Sequence, residues 1–307
     1  MAERRNQLQK QQRNRLISNS AISIFMDCPR KYKLAYVDGL KAGVQTNKHF
    51  EIGGFGHEYI DRYLKGESRE SLLHELDLKQ EVSLFQMKAD FGIDNIVTYM
   101  KMILDEVDNN ISQFDEVIAT ELHLSDNDNH GIIDLLAIKD DALYIMDWKF
   151  TKYYKTEQDI LDNFQLFLYA KLLMSYKDIQ SILRKVKTIR IGYISMPKWE
   201  PKKPRILKNG KPSKSLTNDV TYDTYMQAIL ECGCNPEDYE DQLNRLKNKK
   251  MSGFVTMKLN TTELNEKLED FAAWTELITR AREQNKFPRR HNCANCEYLD
   301  KCRGGLY

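Results

Sequence analysis

The 307-residue sequence has almost no net charge and no long apolar run. Its 46 lysine and arginine residues nearly balance 45 aspartate and glutamate residues, which excludes a wholly basic, histone-like protein but allows a local basic groove. No stretch approaches the roughly 18 consecutive apolar residues of a membrane helix, so we expect no membrane association. The first 15 residues contain no apolar signal core, and we therefore expect a cytoplasmic protein that is not exported.

The six cysteines are too few for a disulfide scaffold in a chain of this length. In a reducing cytosol, clustered cysteines more often indicate a metal. Three of them lie close together near the end of the sequence: Cys293, Cys296 and Cys302. A closed tetrahedral site needs a fourth thiolate, for which Cys28 is the natural candidate. Cys232 and Cys234 have nothing nearby that completes a site, and we interpret them as structural or incidental.

The hydrophobic pattern predicts an α/β protein in which helical segments flank a mixed β-sheet core. Apolar residues alternate, as in strands, over 116–124 and 187–196, short apolar runs predict strands at 132–138 and 142–149, and 254–259 is the last predicted strand. They recur at helical spacing over 21–37, 55–64 after the Gly53–Gly54 pair, 68–113, 157–176, 220–232, 236–249 and 260–284. Four regions of one integrated domain follow: a basic arm and helices (1–115), a β-rich core (116–200), a basic loop with helices (201–286) and a cysteine-rich tail (287–307).

Two aspartates face each other in the hairpin predicted from the second and third strands. If Asp140–Asp141 is a two-residue turn, the register places Asp134 opposite Asp147 among apolar neighbours. Facing carboxylates repel, and a Mg²⁺ or Mn²⁺ ion between their hard oxygen ligands would relieve the repulsion. Lys149 shares the strand face of Asp147, where its ammonium group could neutralise charge during phosphodiester hydrolysis. The alternative for Asp147 and Lys149 alone is an ion pair at a strand end.

Other polar residues are candidates for the same site, each with a structural alternative. His57 could bind a metal through a neutral ring nitrogen, although a lone histidine is more often structural. Gln165 and Tyr169 are four residues apart and share a helix face, where they could brace the lysine or a phosphate. Tyr169 could equally be a core residue, whereas Gln165 is polar in an apolar neighbourhood. Glu121, on the preceding strand, is an additional candidate ligand.

Four motifs together carry a family resemblance: His57, Gly131–x–x–Asp134, Asp147–x–Lys149 and Gln165–x–x–x–Tyr169. In this order they resemble RecB-type nucleases of the PD-(D/E)XK superfamily. The resemblance implies a restriction-endonuclease-like mixed sheet flanked by helices, and a Mg²⁺- or Mn²⁺-dependent hydrolase of phosphodiester bonds. It implies that three side chains and one backbone carbonyl hold the metal: His57, Asp134, Asp147 and Trp148. It also makes Lys149 catalytic and gives Gln165 and Tyr169 a supporting role.

The cysteines extend the resemblance to nearly the whole chain. A lone upstream cysteine with a C-terminal triplet resembles the iron–sulfur staple of AddB-like and CRISPR-adaptation nucleases: Cys28 with Cys293, Cys296 and Cys302. Residues 20–32, which include Ser20–Ala21–Ile22–Ser23 and Cys28–Pro29–Arg30–Lys31–Tyr32, are similar to the N-terminal signature of that family. The resemblance implies a [4Fe–4S] cluster with a structural role, since four thiolates suit such a cluster. Zinc is the alternative metal.

The segment 198–214 is rich in proline and in positive charge. It contains one acid, Glu200, and seven cations: Lys198, Lys202, Lys203, Arg205, Lys208, Lys211 and Lys214. Such a run is usually a solvated face, and contact with DNA phosphates is the competing interpretation. The candidate DNA-binding residues are Trp199, which could stack on a base, with Lys202, Lys203, Arg205, Lys208 and Lys211. The run Lys-Asn-Gly-Lys-Pro-Ser-Lys also resembles this loop in phage-encoded relatives.

The resemblance predicts a metal-dependent deoxyribonuclease, an exonuclease on single-stranded or duplex DNA ends in recombination, repair or phage DNA metabolism. We expect it in the cytoplasm of a bacterium or of a phage-infected host cell. The sequence lacks a phosphate-binding Gly-x-x-x-x-Gly-Lys-Ser/Thr loop, so unwinding would come from a partner such as a helicase or recombination protein. Two alternatives remain: a non-catalytic DNA-binding adaptor that kept the iron–sulfur scaffold, and a zinc protein of unrelated function.

Overall fold

The computed structural model describes residues 16–40, 48–78, 95–290, 293 and 296–302. The predicted basic arm at 1–15 and the 79–94 part of the predicted 68–113 helix lie outside the described residues. Among the helices of the described ranges, none combines the length and the apolar composition that crossing a lipid bilayer requires.

Five strands form one mixed sheet in the order β1-β2-β3-β4-β5. The strands are β1 (Glu116–Ser125), β2 (His130–Lys139), β3 (Ala142–Thr151), β4 (Thr188–Pro197) and β5 (Gly253–Lys258). Neighbours are antiparallel except for β3 and β4, which are parallel because the intervening chain crosses back over the sheet. These bounds agree with the predicted strands to within two residues at each end.

Helices precede the sheet, connect its strands and follow it. Before the sheet lie α1 (Asn19–Asp27), α2 (Pro29–Tyr32), a π-helical turn (Lys33–Val37), α3 (Lys48–Leu64), α4 (69–78) and α5 (Ile96–Ile111). Between β3 and β4 lie α6 (Glu157–Leu161), α7 (Gln165–Met174), a 3₁₀ turn (Lys177–Ile179) and α8 (Gln180–Leu183). Between β4 and β5 lie α9 (Tyr222–Glu231), a 3₁₀ turn (Pro236–Tyr239) and α10 (Glu240–Lys247). After β5 come α11 (Thr261–Glu283) and α12 (Leu299–Cys302).

The helix predicted over 21–37 is interrupted at Cys28. The backbone of Cys28 is extended, with φ −157° and ψ 112°, because Pro29 follows it and proline pushes the preceding residue out of the helical region. Pro29 then lies in the first turn of α2, where backbone N–H groups have no partner within the helix, so its missing N–H costs no helical hydrogen bond. The side chain of Ser18 accepts a hydrogen bond from the Ala21 N–H at 3.2 Å and caps α1.

Two other predicted helices also differ from the observed ones. The helix predicted over 157–176 divides in front of Gln165, where the side chain of Asn163 accepts a hydrogen bond from the Gln165 N–H at 2.9 Å. Gln165 therefore becomes the first residue of α7. The helix predicted to begin after Gly53–Gly54 begins instead at Lys48, so these glycines lie inside α3.

Hydrophobic clusters cover both faces of the sheet. On one face, α1, α7 and α11 pack on strand residues that include Ile133 and Ile145. On the other face, α3, α4 and α5 surround Met146 and the buried indole of Trp148. A smaller cluster joins α9 to α10. Since successive strand residues point to opposite faces, both sides of the central strands are apolar, except at the residues described below.

A buried carboxylate ties α5 to the turn that precedes β5. Glu106 is 4% exposed, and it accepts hydrogen bonds from the backbone N–H groups of Met251 and Ser252 at 3.1 and 3.0 Å. The Ser252 hydroxyl also donates to Glu106, at 2.6 Å, and receives a hydrogen bond from the Asn110 amide. The carbonyl of Met251 accepts a hydrogen bond from the Tyr154 hydroxyl at 3.3 Å. This network fixes the start of β5 against the chain that leaves β3.

Candidate active site

The hairpin of β2 and β3 has the predicted register as far as the candidate site. Its pairs run from Lys139–Ala142 to Leu135–Met146, and Asp134 and Asp147 are the first residues beyond this ladder. Asp134 is 7% exposed and Asp147 2% exposed. The Asp134 carboxylate accepts a hydrogen bond from the Trp148 backbone N–H at 2.9 Å. Burial, and then the negative charge of Asp147, raise the pKa of Asp134 to about 6.

His57 reaches the hairpin from helix α3. Its Nδ1 lies 3.2 Å from Oδ2 of Asp134 and 3.8 Å from Oε1 of Glu121. Burial disfavours the imidazolium, but the carboxylates of Asp134 and Glu121 outweigh it and raise the pKa of His57 to about 10. The close approach depends on Gly56, because a Cβ there would lie 2.0 Å from Cζ of Phe150. The Phe150 ring also contacts the imidazole, with 5.8 Å between ring centroids.

Glu121 lies in β1 directly across from the hairpin aspartate. Pairs on either side, Thr120–Leu135 and Leu122–Ile133, place Glu121 opposite Asp134. A register shift earlier in β1 produces this alignment, because it moves every later pair by one residue. Glu121 has a positive φ of 46°, which is uncommon for a residue with a side chain. Sequence reasoning treated this residue as a secondary candidate because no motif marks it.

Three residues of this group could hold a metal ion together. One ligand atom each from His57, Glu121 and Asp134 lie within 4.8 Å of one another. Two carboxylate oxygens and an imidazole nitrogen suit Mg²⁺ or Mn²⁺. Asp147, a predicted ligand, lies outside this three-residue cluster, because one of its oxygens contacts Gln165 and the other Lys149. The predicted role of the Trp148 carbonyl stays a prediction.

Gln165 connects the predicted catalytic lysine to its aspartate. Nζ of Lys149 lies 2.6 Å from Oδ2 of Asp147 and donates a hydrogen bond to Oε1 of Gln165 at 3.0 Å. The Gln165 amide nitrogen donates to Oδ1 of Asp147 and to the Tyr169 hydroxyl, both at 2.7 Å. The Tyr169 ring lies over Gly131, where a Cβ would come within 2.7 Å of the ring. The spacing Gln165–x–x–x–Tyr169 thus brings both side chains to the lysine's side of the hairpin.

The four predicted cluster ligands line one cavity: Cys28, Cys293, Cys296 and Cys302. Lys31, Arg289 and Asp27 border the same cavity, so two cations and one acid lie beside the thiols. Burial raises the pKa of the Cys296 thiol. Cys232 and Cys234 are not among the residues that line this cavity, and Cys232 is the C-cap that follows helix α9.

Contacts between the N-terminal helices and the C-terminal segment hold this cavity together. The Arg30 N–H donates to the Pro288 carbonyl at 3.2 Å, Lys31 pairs with Glu297 at 3.1 Å, and the Tyr298 hydroxyl donates to the Leu40 carbonyl at 3.2 Å. These contacts bring Cys28 to the cysteine triplet although 265 residues separate Cys28 from Cys293.

Some cations of the basic segment 198–214 lie in ion pairs. Lys203 lies 2.7 Å from the carboxylate of Glu231, and Lys202 lies 3.7 Å from that of Asp219. Trp199 packs on the cluster under the sheet and is half-buried. All five candidate cations are exposed, and Arg205, Lys208 and Lys211 are the ones not described above as paired. Their contact with DNA stays a prediction.

The chain matches the model of the PD-(D/E)XK nuclease superfamily over residues 16–303. This match covers most of the sequence, and the chain therefore belongs to the PD-(D/E)XK nuclease superfamily. The predicted mixed sheet flanked by helices and the predicted nuclease class are confirmed. The crystal structure of a candidate exonuclease from Eubacterium rectale is similar, with a TM-score of 0.48 and 11% identity, covering 97% of this chain and 91% of that chain. No curated protein matches the chain.

Proposed function

We propose that this nuclease is a RecB-type, Mg²⁺- or Mn²⁺-dependent exonuclease that hydrolyses phosphodiester bonds of DNA. The observation that carries the proposal is the placement of Lys149 and Asp147 beside the group formed by His57, Glu121 and Asp134. A protein that only bound DNA would need no buried carboxylates next to a lysine, because negative charge repels phosphate. The family match supports DNA as the substrate.

The residues of the chain divide the work of the proposed reaction. His57, Glu121 and Asp134 would hold the divalent ion, which when bound lowers the pKa of water and stabilises charge on the phosphate. Lys149 is held by Asp147 and Gln165 where its ammonium can orient the attacking water or neutralise the developing oxyanion. The hydrogen bond from the Trp148 N–H keeps one Asp134 oxygen in position.

The four cavity-lining cysteines support the second part of the proposal, a structural [4Fe–4S] cluster. Four cysteine thiolates are the ligand set of such clusters, and all four thiols line one cavity. A cluster at this position would join α2 to the segment before α12. The proposed setting is recombination, repair or phage DNA metabolism in the cytoplasm, with a helicase or recombination protein as partner.

The nuclease proposal is tested with DNA labelled at either the 5′ or the 3′ end, as single strands and as duplexes, in Mg²⁺ and in Mn²⁺. We expect Lys149→Ala to lower the cleavage rate by about 100- to 1,000-fold or more. Asp134→Ala and Asp147→Ala should also remove cleavage, without additivity in the double variant, because residues that act as one unit are not additive.

The matched control is Lys187→Ala, because exposed Lys187 pairs with Asp141 at 2.8 Å outside the site. This control should cleave normally. Near-normal cleavage by Lys149→Ala would contradict the proposal. A wild-type protein that binds DNA and cleaves none of these substrates would instead favour the adaptor alternative.

The cluster proposal is tested by anaerobic purification, iron and zinc analysis and the visible spectrum. We expect a brown protein with broad absorption near roughly 400 nm, typical of cysteine-ligated iron–sulfur clusters. Cys28→Ala should remove the colour as fully as Cys296→Ala, since both line the same cavity. Cys232→Ala should leave it unchanged. A colourless protein that holds one zinc would replace the iron–sulfur assignment with the zinc alternative.

A further inference from the structure

An exposed tyrosine lies just beyond the strand that carries Lys149. Tyr153 is 83% exposed and Tyr154 is 54% exposed, although tyrosine rings carry a large apolar area that is usually buried. Strand β3 ends at Thr151. Tyr153 is two residues beyond that end and four residues after Lys149. Their Cα atoms are therefore at most about 14 Å apart. The exposed ring therefore follows the strand that carries Lys149 at short range.

The backbone that presents this ring is held on both sides. The Thr151 carbonyl accepts a hydrogen bond from the Lys198 N–H at 3.2 Å, and the Thr151 hydroxyl donates to the Tyr153 carbonyl at 2.9 Å. The Lys155 N–H donates to the hydroxyl of buried Ser195 at 2.9 Å. An exposed ring on a fixed backbone loses little conformational entropy when a ligand binds to it.

Tyr154 adds a further anchor and explains why its neighbour points outward. Its ring packs against Gly253, where a Cβ would come within 2.7 Å of the ring. Its hydroxyl donates to the Met251 carbonyl, which belongs to the network around Glu106. Tyr154 is thus held by contacts within the protein, whereas Tyr153 extends into solvent.

Positive charge accompanies the exposed ring. Lys152 is exposed and directly precedes Tyr153. Burial, and then the positive charge of Lys152, lower the pKa of Lys198, so these two cations lie near each other. An exposed aromatic ring beside cations is the combination with which proteins bind single-stranded nucleic acid.

We propose that Tyr153 stacks on an unpaired base of the DNA strand that enters the active site, while Lys152 contacts an adjacent phosphate. This inference rests on the proposed nuclease function and adds its substrate class, a single-stranded segment or a frayed end. The Cα–Cα limit of about 14 Å corresponds to roughly four stacked nucleotides at a rise of about 3.4 Å each. A base inside a duplex is already stacked on both of its faces, so it cannot stack on the Tyr153 ring.

Binding of fluorescein-labelled DNA, measured by anisotropy in EDTA so that the DNA stays intact, tests the inference. Tyr153→Ala should raise the Kd for a single-stranded oligonucleotide by about 5- to 150-fold, and Tyr153→Phe should stay within about threefold of wild type. Lys152→Ala should lower the salt slope by about 0.7, whereas Tyr153→Ala should leave that slope unchanged. The matched control is Tyr222→Ala, which removes a tyrosine that is 36% exposed on α9. It should bind like wild type.

Two results would overturn the inference. One is an unchanged Kd for Tyr153→Ala, and the other is an equal loss of affinity for blunt duplex, which would show that no unpaired base is involved. Cleavage by the wild-type protein in Mg²⁺ or Mn²⁺ is measured separately. A protein that cleaves DNA but binds it independently of Tyr153 contradicts this inference alone. A protein that never cleaves contradicts the proposed function, and the binding comparison still decides the role of Tyr153.

Discussion

Replacing Gly56 by alanine should disturb the metal site through a single methyl group. Gly56 lies in α3 next to His57, and a Cβ there would stand 2.0 Å from Cζ of Phe150. Carbon atoms in contact are normally about 3.5–4.0 Å apart, so the ring has to move by more than about 1 Å. That ring contacts the imidazole, and its displacement should therefore move His57 relative to Asp134.

The magnitude follows from a comparison within the same helix. Gly54 also lies in α3, and a Cβ there would meet nothing within 4 Å. Gly54→Ala should therefore stabilise the protein by about 0.5–1 kcal/mol, the difference between the two residues in a helix interior. Gly56→Ala gains the same term but adds overpacking of about 1–3 kcal/mol. The helix term cancels between the variants, so their free energies of unfolding should differ by about 1–3 kcal/mol.

Urea unfolding of both variants measures that difference, and titration with Mn²⁺ measures the effect on the site. We expect Gly56→Ala to be the less stable variant and to bind Mn²⁺ more weakly than Gly54→Ala. Equal stability of the two variants would refute the packing argument. Equal Mn²⁺ affinity despite unequal stability would refute the link between Phe150 and His57.

Three further outcomes are expected. Gln165→Leu removes the amide that holds both the lysine and its aspartate, and kcat should fall roughly 100-fold, equivalent to about 3 kcal/mol, while KM for DNA changes little. Glu106→Ala leaves three buried donors without their acceptor, and the free energy of unfolding measured in urea should fall by about 3 kcal/mol or more. The pKa of His57 is raised to about 10, so its imidazole is protonated at neutral pH and must lose that proton to bind a metal. Mn²⁺ affinity, measured calorimetrically, should therefore rise about tenfold per pH unit between pH 7 and 9, and His57→Ala should remove this dependence.

The hairpin and its lysine were accessible from the sequence because local rules determine them. A two-residue turn at Asp140–Asp141 sets the register of the strands around it, and a strand has a period of two. Together, the register and the period place Asp134 opposite Asp147 and put Lys149 on the same strand face as Asp147. The four-residue spacing of Gln165 and Tyr169 is equally local, since it follows from the helix period.

Glu121 and Gly56 depend on long-range geometry that local patterns do not contain. The position of Glu121 follows from the register shift in β1 and from a positive φ at a residue type that rarely adopts it. The role of Gly56 depends on Phe150, which is 94 residues away in sequence. The interruption at Cys28 was different, because Pro29 carries the signal in the sequence itself.

The contacts that close the cysteine cavity also have a consequence for synthesis on the ribosome. Pro288 and Glu297 emerge about 260 residues after the helices that they contact, and a ribosome adds roughly 5–20 residues per second. The interval between synthesis of helices α1 and α2 and synthesis of these two residues is therefore roughly 13–50 seconds. Every residue of the candidate metal site, from His57 to Asp134, has been translated well before that moment. Helices α1 and α2 are thus made long before the segment that completes their native contacts.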